Sequence, residues 1–145
     1  MADPARLLHL FVVEDNPGDA VLIETAFRQC CSHLNLVIRS ASDGEQAIEA
    51  LQESYRPDLI VLDRNIPRIE GHDVLKWVRS CADTRLKEVP IVVFSSSERE
   101  SELRKMLDAG ANGYVMKPGE IDAYFEAIAG IAKTWLDPLA GTTAG

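Results

Sequence analysis

Hydrophobic positions along the chain fall into short continuous runs separated by stretches with helical spacing. Four short apolar runs stand out: LLHLFVV (7–13), LIVL (59–62), IVVF (91–94) and YVM (114–116). Continuous rather than alternating runs predict parallel strands covered on both faces. A fifth, NLVIRSA (35–41), carries Arg39 and is mixed, which suits an edge strand. Between the runs lie amphipathic stretches. After Asn16-Pro17, the residues Leu22, Ile23, Ala26 and Phe27 repeat at helical spacing, with Pro17 in the first turn. Asp43 to Gln46 and Ser97 to Glu100 have the form of capping boxes. The first opens a helix burying Ala47, Ile48 and Leu51; the second opens one with a thin stripe of Leu103, Met106 and Leu107, ended by Gly110. A third helix follows Gly71 with Val74, Leu75, Val78 and Cys81 on one face. The last runs from about Glu120 through Tyr124, Phe125 and Ile128 to Trp135. The order is strand–helix five times, which predicts an α/β fold: a doubly wound, five-stranded parallel sheet with helices on both faces.

With 145 residues and no internal linker, one domain over 1–136 (core 7–136) is expected, followed by a flexible tail at 137–145 and no output domain. A net charge of −8 opposes a nucleic-acid surface and favours a cation or a protein partner. The three cysteines, two of them adjacent at Cys30 and Cys31, form neither a disulfide framework nor a zinc spacing, and are read as helix-face filler. His9, His33 and His72 share no metal-ligand spacing. No apolar run reaches membrane-spanning length and the first residues lack a signal peptide's pattern, so a cytoplasmic protein is expected.

Ligands of open α/β sheets bind outside the carboxyl ends of the strands. Here the first strand ends in Glu14-Asp15, the third in Asp63, the fourth in Ser95 and the fifth in Lys117. Crowded carboxylates repel, and hard oxygen donors with room for water suit Mg²⁺. The bland alternative is a set of solvated strand-end carboxylates. Against it, Asp63 ends what should be a rigid central strand, and a carboxylate held near Mg²⁺ and a lysine can attack a phosphoryl group. Ser95 could then hydrogen-bond a phosphoryl oxygen, although a serine in SSS (95–97) also suits a turn.

In VVEDN, LIVLDRNIPRIEG, PIVVFSSS and GANGYVMKP, in that order, the chain resembles a response-regulator receiver domain of two-component signalling over residues 7 to 136. The resemblance implies a flavodoxin-like sheet of strand order 2-1-3-4-5, Asp63 as phosphoacceptor, and Glu14 and Asp15 as the acidic Mg²⁺ pair. It also implies that Asn65 lends a backbone carbonyl to the metal, that Ser95 and Lys117 contact the phosphoryl group, and that Ser95 and Tyr114 form the switch pair. Pro118 matches a proline often preceded by a cis peptide. The implied partners are a sensor histidine kinase and a downstream target or phosphotransfer protein, with no turnover of a free substrate. The stretch EDNPGDAVLIETAF is similar to single-domain regulators paired with bacterial phytochrome kinases, and the aromatic C-terminal helix, with Trp135 placed beyond the core, suggests a homodimer. Arg64 departs from the family, where that position is usually apolar. Either its stem lies on the surface with its charge in water, or its guanidinium reaches the phosphoryl group or a nearby carboxylate. Two other classes are open to a chain with this edge. An aspartyl-phosphate phosphatase would want D-x-D after the first strand; a flavodoxin-like FMN binder would want Ser, Thr and Gly donors there. Glu14, Asp15 and Asp19 fit neither.

Overall fold

The computed structural model describes residues 6–66, 68–96 and 99–140. Its strands are β1 (Leu7–Val13), β2 (Asn35–Ala41), β3 (Leu59–Leu62), β4 (Ile91–Ser95) and β5 (Gly113–Met116). Its helices are α1 (Pro17–Cys30), α2 (Gly44–Gln52), α3 (Gly71–Arg79), α4 (Thr84–Lys87), α5 (Glu100–Asp108), α6 (Ile121–Ile131) and α7 (Asp137–Ala140), with a π-type stretch, Ala132–Leu136, joining the last two. The five strands form one parallel sheet in the order β2-β1-β3-β4-β5, the flavodoxin-like arrangement. Among the described residues no helix is long and apolar enough to cross a membrane.

The continuous apolar runs still alternate in direction, because successive side chains of a strand leave opposite faces. Phe11, Val13, Ile60, Leu62, Ile91 and Val93 form one core layer with Ala47 and Leu51 of α2, Val74, Leu75 and Val78 of α3, and Met106 of α5. Leu10, Val12, Leu59, Val61, Val92 and Phe94 form the other with Ile23 and Phe27 of α1 and Tyr124, Ile128 and Ile131 of α6. The edge strands are the less covered ones. β2 alternates between exposed and half-buried positions over 35–39 and is buried only at Ala41, and β5 is half-buried to exposed throughout, although its sequence reads as apolar as the central strands.

Local chemistry sets the helix starts. The Asn16 side chain accepts from the Asp19 N–H at 3.0 Å, and Pro17 follows it in the first turn. Asp43 Oδ1 accepts from the Gln46 N–H at 2.7 Å, while the Gln46 side chain reaches back to the N–H of Ser42 rather than of Asp43. The other capping box, on Ser97, lies outside the described residues; α5 itself begins at Glu100 with Arg99 in the cap position. α4 has no counterpart in the pattern: a single turn capped by Asp83, it buries only Leu86.

The C-terminal segment corrects the sequence reading. Residues 137–140, expected as flexible tail, continue the last helix as α7, because Leu136 and Ala140 are buried and the Leu139 carbonyl accepts from Arg6 Nη1 at 2.7 Å. Trp135, expected beyond the core, packs against the α1/α6 layer. Cys31 is buried and Cys30 half-buried on that side, and both are free thiols. Since Leu136 has no exposed surface, Leu136→Ala should lower the unfolding free energy by about 2–5 kcal/mol. Urea titration followed by circular dichroism checks this, and a change under about 0.5 kcal/mol, within the range of surface substitutions, would return the segment to a loosely attached tail.

Candidate phosphoacceptor and metal site

The sheet ladder is carried one residue past the strands, and that residue is in each case a polar one. Glu14 N–H donates to Ala41 O at 3.0 Å, Asp63 N–H to Val13 O at 3.0 Å, and Lys117 N–H to Ser95 O at 2.8 Å. The register Val13↔Leu62 then sets Glu14 beside Asp63. Three backbones are thus fixed before any side chain is considered.

Glu14 and Asp63 are buried, at 4% and 8% exposure, whereas Asp15 faces solvent. Ligand oxygens of Glu14, Asp15 and Asp63 lie within 4.8 Å of one another. Among them enters Lys117, whose side chain is 8% exposed. Its Nζ donates to Glu14 Oε1, to Asp63 Oδ2 at 3.2 Å and to Asp19 Oδ2 at 3.3 Å, and lies 5.9 Å from the Phe94 ring centre. Asn65 N–H donates to Asp63 Oδ1 at 3.1 Å and Asn16 N–H to Glu14 Oε2 at 3.2 Å, so both buried carboxylates are oriented by backbone donors. The loop after β3 reaches this geometry only because residue 71 is glycine: a Cβ there would stand 2.6 Å from the Asp63 carbonyl oxygen.

Electrostatics follow from this crowding. Burial, with the neighbouring Asp63 charge, pushes the Glu14 carboxyl up to about 7, even though Lys117 pulls the other way. Burial alone would lower the Lys117 ammonium, but Glu14, Asp63 and Asp19 outweigh it and hold it above its ordinary value. Four carboxylates served by one ammonium are short of positive charge. Hard anionic oxygens on an open rim, with space for water beside the exposed Asp15, fit a divalent cation.

Sequence reasoning missed two members of the site. Asp19, in the first turn of α1, accepts from Lys117 and, at 3.0 Å, from the Tyr124 hydroxyl. Tyr124, expected as core, is buried edge-on to Phe94 with ring centres 5.2 Å apart, and burial with Asp19 raises its phenol. The available signal was the place of Asp19 in the first turn of α1, directly behind the acidic pair. Of the other expected residues, Ser95 is fully buried at the end of β4, and Tyr114 is half-buried on β5 in the layer facing α5. The expected cis peptide before Pro118 is absent; that bond is trans. Three carboxylates, rather than an unusual backbone, aim the lysine. Arg64 is not simply laid over the surface: its Nη2 is 3.2 Å from Glu102 Oε2.

Because Glu14 keeps its proton to about pH 7 without metal, cation binding must displace that proton. Divalent-cation affinity should therefore rise about tenfold per pH unit up to about 7 and level off above it. Isothermal titration at several pH values between 5.5 and 8.5 checks the profile, and Glu14→Gln should flatten it.

The comparisons with known proteins agree with this geometry. Residues 10–129 match the family model described as response regulator receiver domain. The response regulator Rcp1 of Synechocystis is 30% identical over 134 residues, covering 88% of each chain. The solved structure of the phosphorylated cyanobacterial phytochrome response regulator RcpA superposes with a TM-score of 0.84 at 32% identity, covering 92% of this chain and 96% of RcpA. The Mn²⁺-bound form of Rcp1 superposes with a TM-score of 0.83 at 28% identity, covering 95% and 99% of the two chains. Such domains perform chemistry only on their own aspartate and are not enzymes in the ordinary sense. With its parallel sheet, its acidic rim and its buried lysine, this chain belongs to the response regulator receiver domain family.

Proposed function

We propose that the chain is a response regulator that accepts a phosphoryl group from a sensor histidine kinase onto Asp63 and signals through phosphorylation-dependent protein contacts. One observation carries this reading: a buried, backbone-oriented Asp63 carboxylate lies 3.2 Å from a lysine ammonium and beside two further carboxylates able to hold a metal.

In the proposed reaction an Asp63 oxygen forms a bond to phosphorus as the phosphorus–nitrogen bond of a phosphohistidine breaks. The imidazole leaves with the electron pair and takes a proton from solvent. Glu14, Asp15, Asp63 and the Asn65 carbonyl would hold Mg²⁺, which neutralises charge building on the phosphoryl oxygens. Lys117, which contacts the Asp63 carboxylate, would supply a second positive charge, and Ser95 would donate to a phosphoryl oxygen. Movement of Ser95 makes room for Tyr114, both being on the α5 side of the sheet. The readout face is formed by α5, β5 and α6; in support, each leaves a large apolar side chain exposed, at Leu107, Met116 and Ile121. Likeness to RcpA, a cyanobacterial phytochrome response regulator, supports a kinase of the phytochrome type. A homodimer through the α5–β5–α6 side rests on the same exposed residues, since Trp135 is occupied with the core. An aspartyl-phosphate phosphatase is disfavoured by the adjacent Glu14-Asp15 pair.

Incubation with acetyl phosphate and Mg²⁺ should add one phosphoryl group to the intact protein by mass spectrometry. Asp63→Asn should abolish the gain, and omission of Mg²⁺ should suppress it strongly. An equal gain on Asp63→Asn, or catalytic turnover of a simple phosphate ester, would overturn the reading.

A further inference from the structure

Arg64 occupies an unusual place. Its backbone is clamped: the carbonyl accepts from Gly71 N–H at 3.3 Å, and a Cβ on Gly71 would stand 3.0 Å from the Arg64 Cα. Its side chain leaves the rim on the side opposite Asp63, since neighbouring residues at a strand end diverge, and crosses to Glu102 on α5 at 3.2 Å. The two side chains are only 24% and 22% exposed. The Nε of Arg64 is buried with no hydrogen-bond partner. A cation carrying an unmet buried donor is held by its ion pair rather than by a complete set of hydrogen bonds, which leaves it open to a competing anion.

The helix it holds is lightly attached. Met106 is the one buried residue of α5, and a groove of about 710 Å³ lined by His72, Lys76, Arg104 and Lys105 separates α5 from α3. Arg64–Glu102 is therefore a direct polar tie between the residue following the phosphoacceptor and the helix at the readout face.

We propose that Arg64 is a shared cation, held by Glu102 while Asp63 is unmodified and drawn away by the phosphoryl group once Asp63 carries it, so that α5 is released. This rests on the phosphoacceptor reading of Asp63 given above. A phosphoryl group brings a charge of about −1.5 to −2. It is carried by the adjacent residue, so the long Arg64 side chain need only rotate about its own bonds to turn from Glu102 toward it. Linkage makes the effect reciprocal: whatever Glu102 contributes to the unmodified state is withheld from the phosphorylated one.

The test is a double-mutant cycle on the affinity for beryllium trifluoride, a phosphoryl mimic, measured with Mg²⁺ in the wild type, Glu102→Gln, Arg64→Met and the double variant. A partly buried pair should be worth about fivefold, so Glu102→Gln is expected to tighten binding by about that factor. In the Arg64→Met background the same substitution should change affinity by less than about 1.5-fold, because the shared cation is gone. Amide hydrogen exchange over 100–108 should rise when the mimic binds the wild type, and should already be raised in Glu102→Gln alone. A merely structural pair would move the unfolding midpoint while leaving the mimic's affinity unchanged. Unchanged or weakened binding in Glu102→Gln, or equal tightening with Arg64 absent, overturns the proposal. Acetyl-phosphate labelling of the wild type is run alongside. Failure to label sinks the phosphoacceptor reading, whereas normal labelling with a flat cycle sinks the shared cation alone.

Discussion

Everything at the working edge of this protein depends on one electrostatic mismatch: too many carboxylates around a single buried ammonium. Glu14, Asp63 and Asp19 all accept from Lys117 Nζ, and Asp15 stands beside them. In water such a group would disperse. Here it cannot, because the backbones of Glu14, Asp63 and Lys117 are fixed by sheet hydrogen bonds that extend beyond the strand ends. Burial, with the Asp63 charge beside it, raises the Glu14 carboxyl, and the fixed backbones leave no movement to relieve it. A site prepared in this way has a standing demand for positive charge, which a divalent cation is suited to meet.

The alternation of side chains along the strands divides that edge in two. Glu14, Asp63 and Lys117 follow the residues that face α1 and α6, and their further partners, Asp19 and Tyr124, come from those helices. Arg64 and Ser95 follow the other parity, toward α5, where Tyr114 and Glu102 lie. The chemistry is thus anchored on the well-packed face. Ser95, Tyr114 and Arg64 lie toward the face of α5, a helix that buries one methionine and is joined to Arg64 by an ion pair. Rigidity is needed where charges must be aimed, and looseness where a small local change must become a displacement.

How much of this could be read along the chain depended on the range of the interaction involved. The central strands, the caps at Asn16 and Asp43 and the identity of the strand-end residues are local or periodic features, and they are legible. The four-residue α4 was not, since one turn carries no periodicity. The apolar run of β5 by itself looks like a central strand, and its low coverage follows from its edge place in the order 2-1-3-4-5. The small, polar C-terminal stretch reads as frayed, yet Leu136 and the Leu139 carbonyl tie it to the body through residues far away in sequence.

The sequence by itself determined a five-fold strand–helix repeat and the set Glu14, Asp15, Asp63, Ser95 and Lys117 at the strand ends, because strand periodicity and residue chemistry are written locally. Only the tertiary structure decided which of these touch. It brought Asp19 and Tyr124 to the lysine, left the Pro118 peptide trans, and turned Arg64 from a solitary charge into a bridge to α5. The physical reason is the same in each case. A side chain's partner is fixed by sheet order and register, and these bring together residues as far apart in the chain as Glu14 and Lys117.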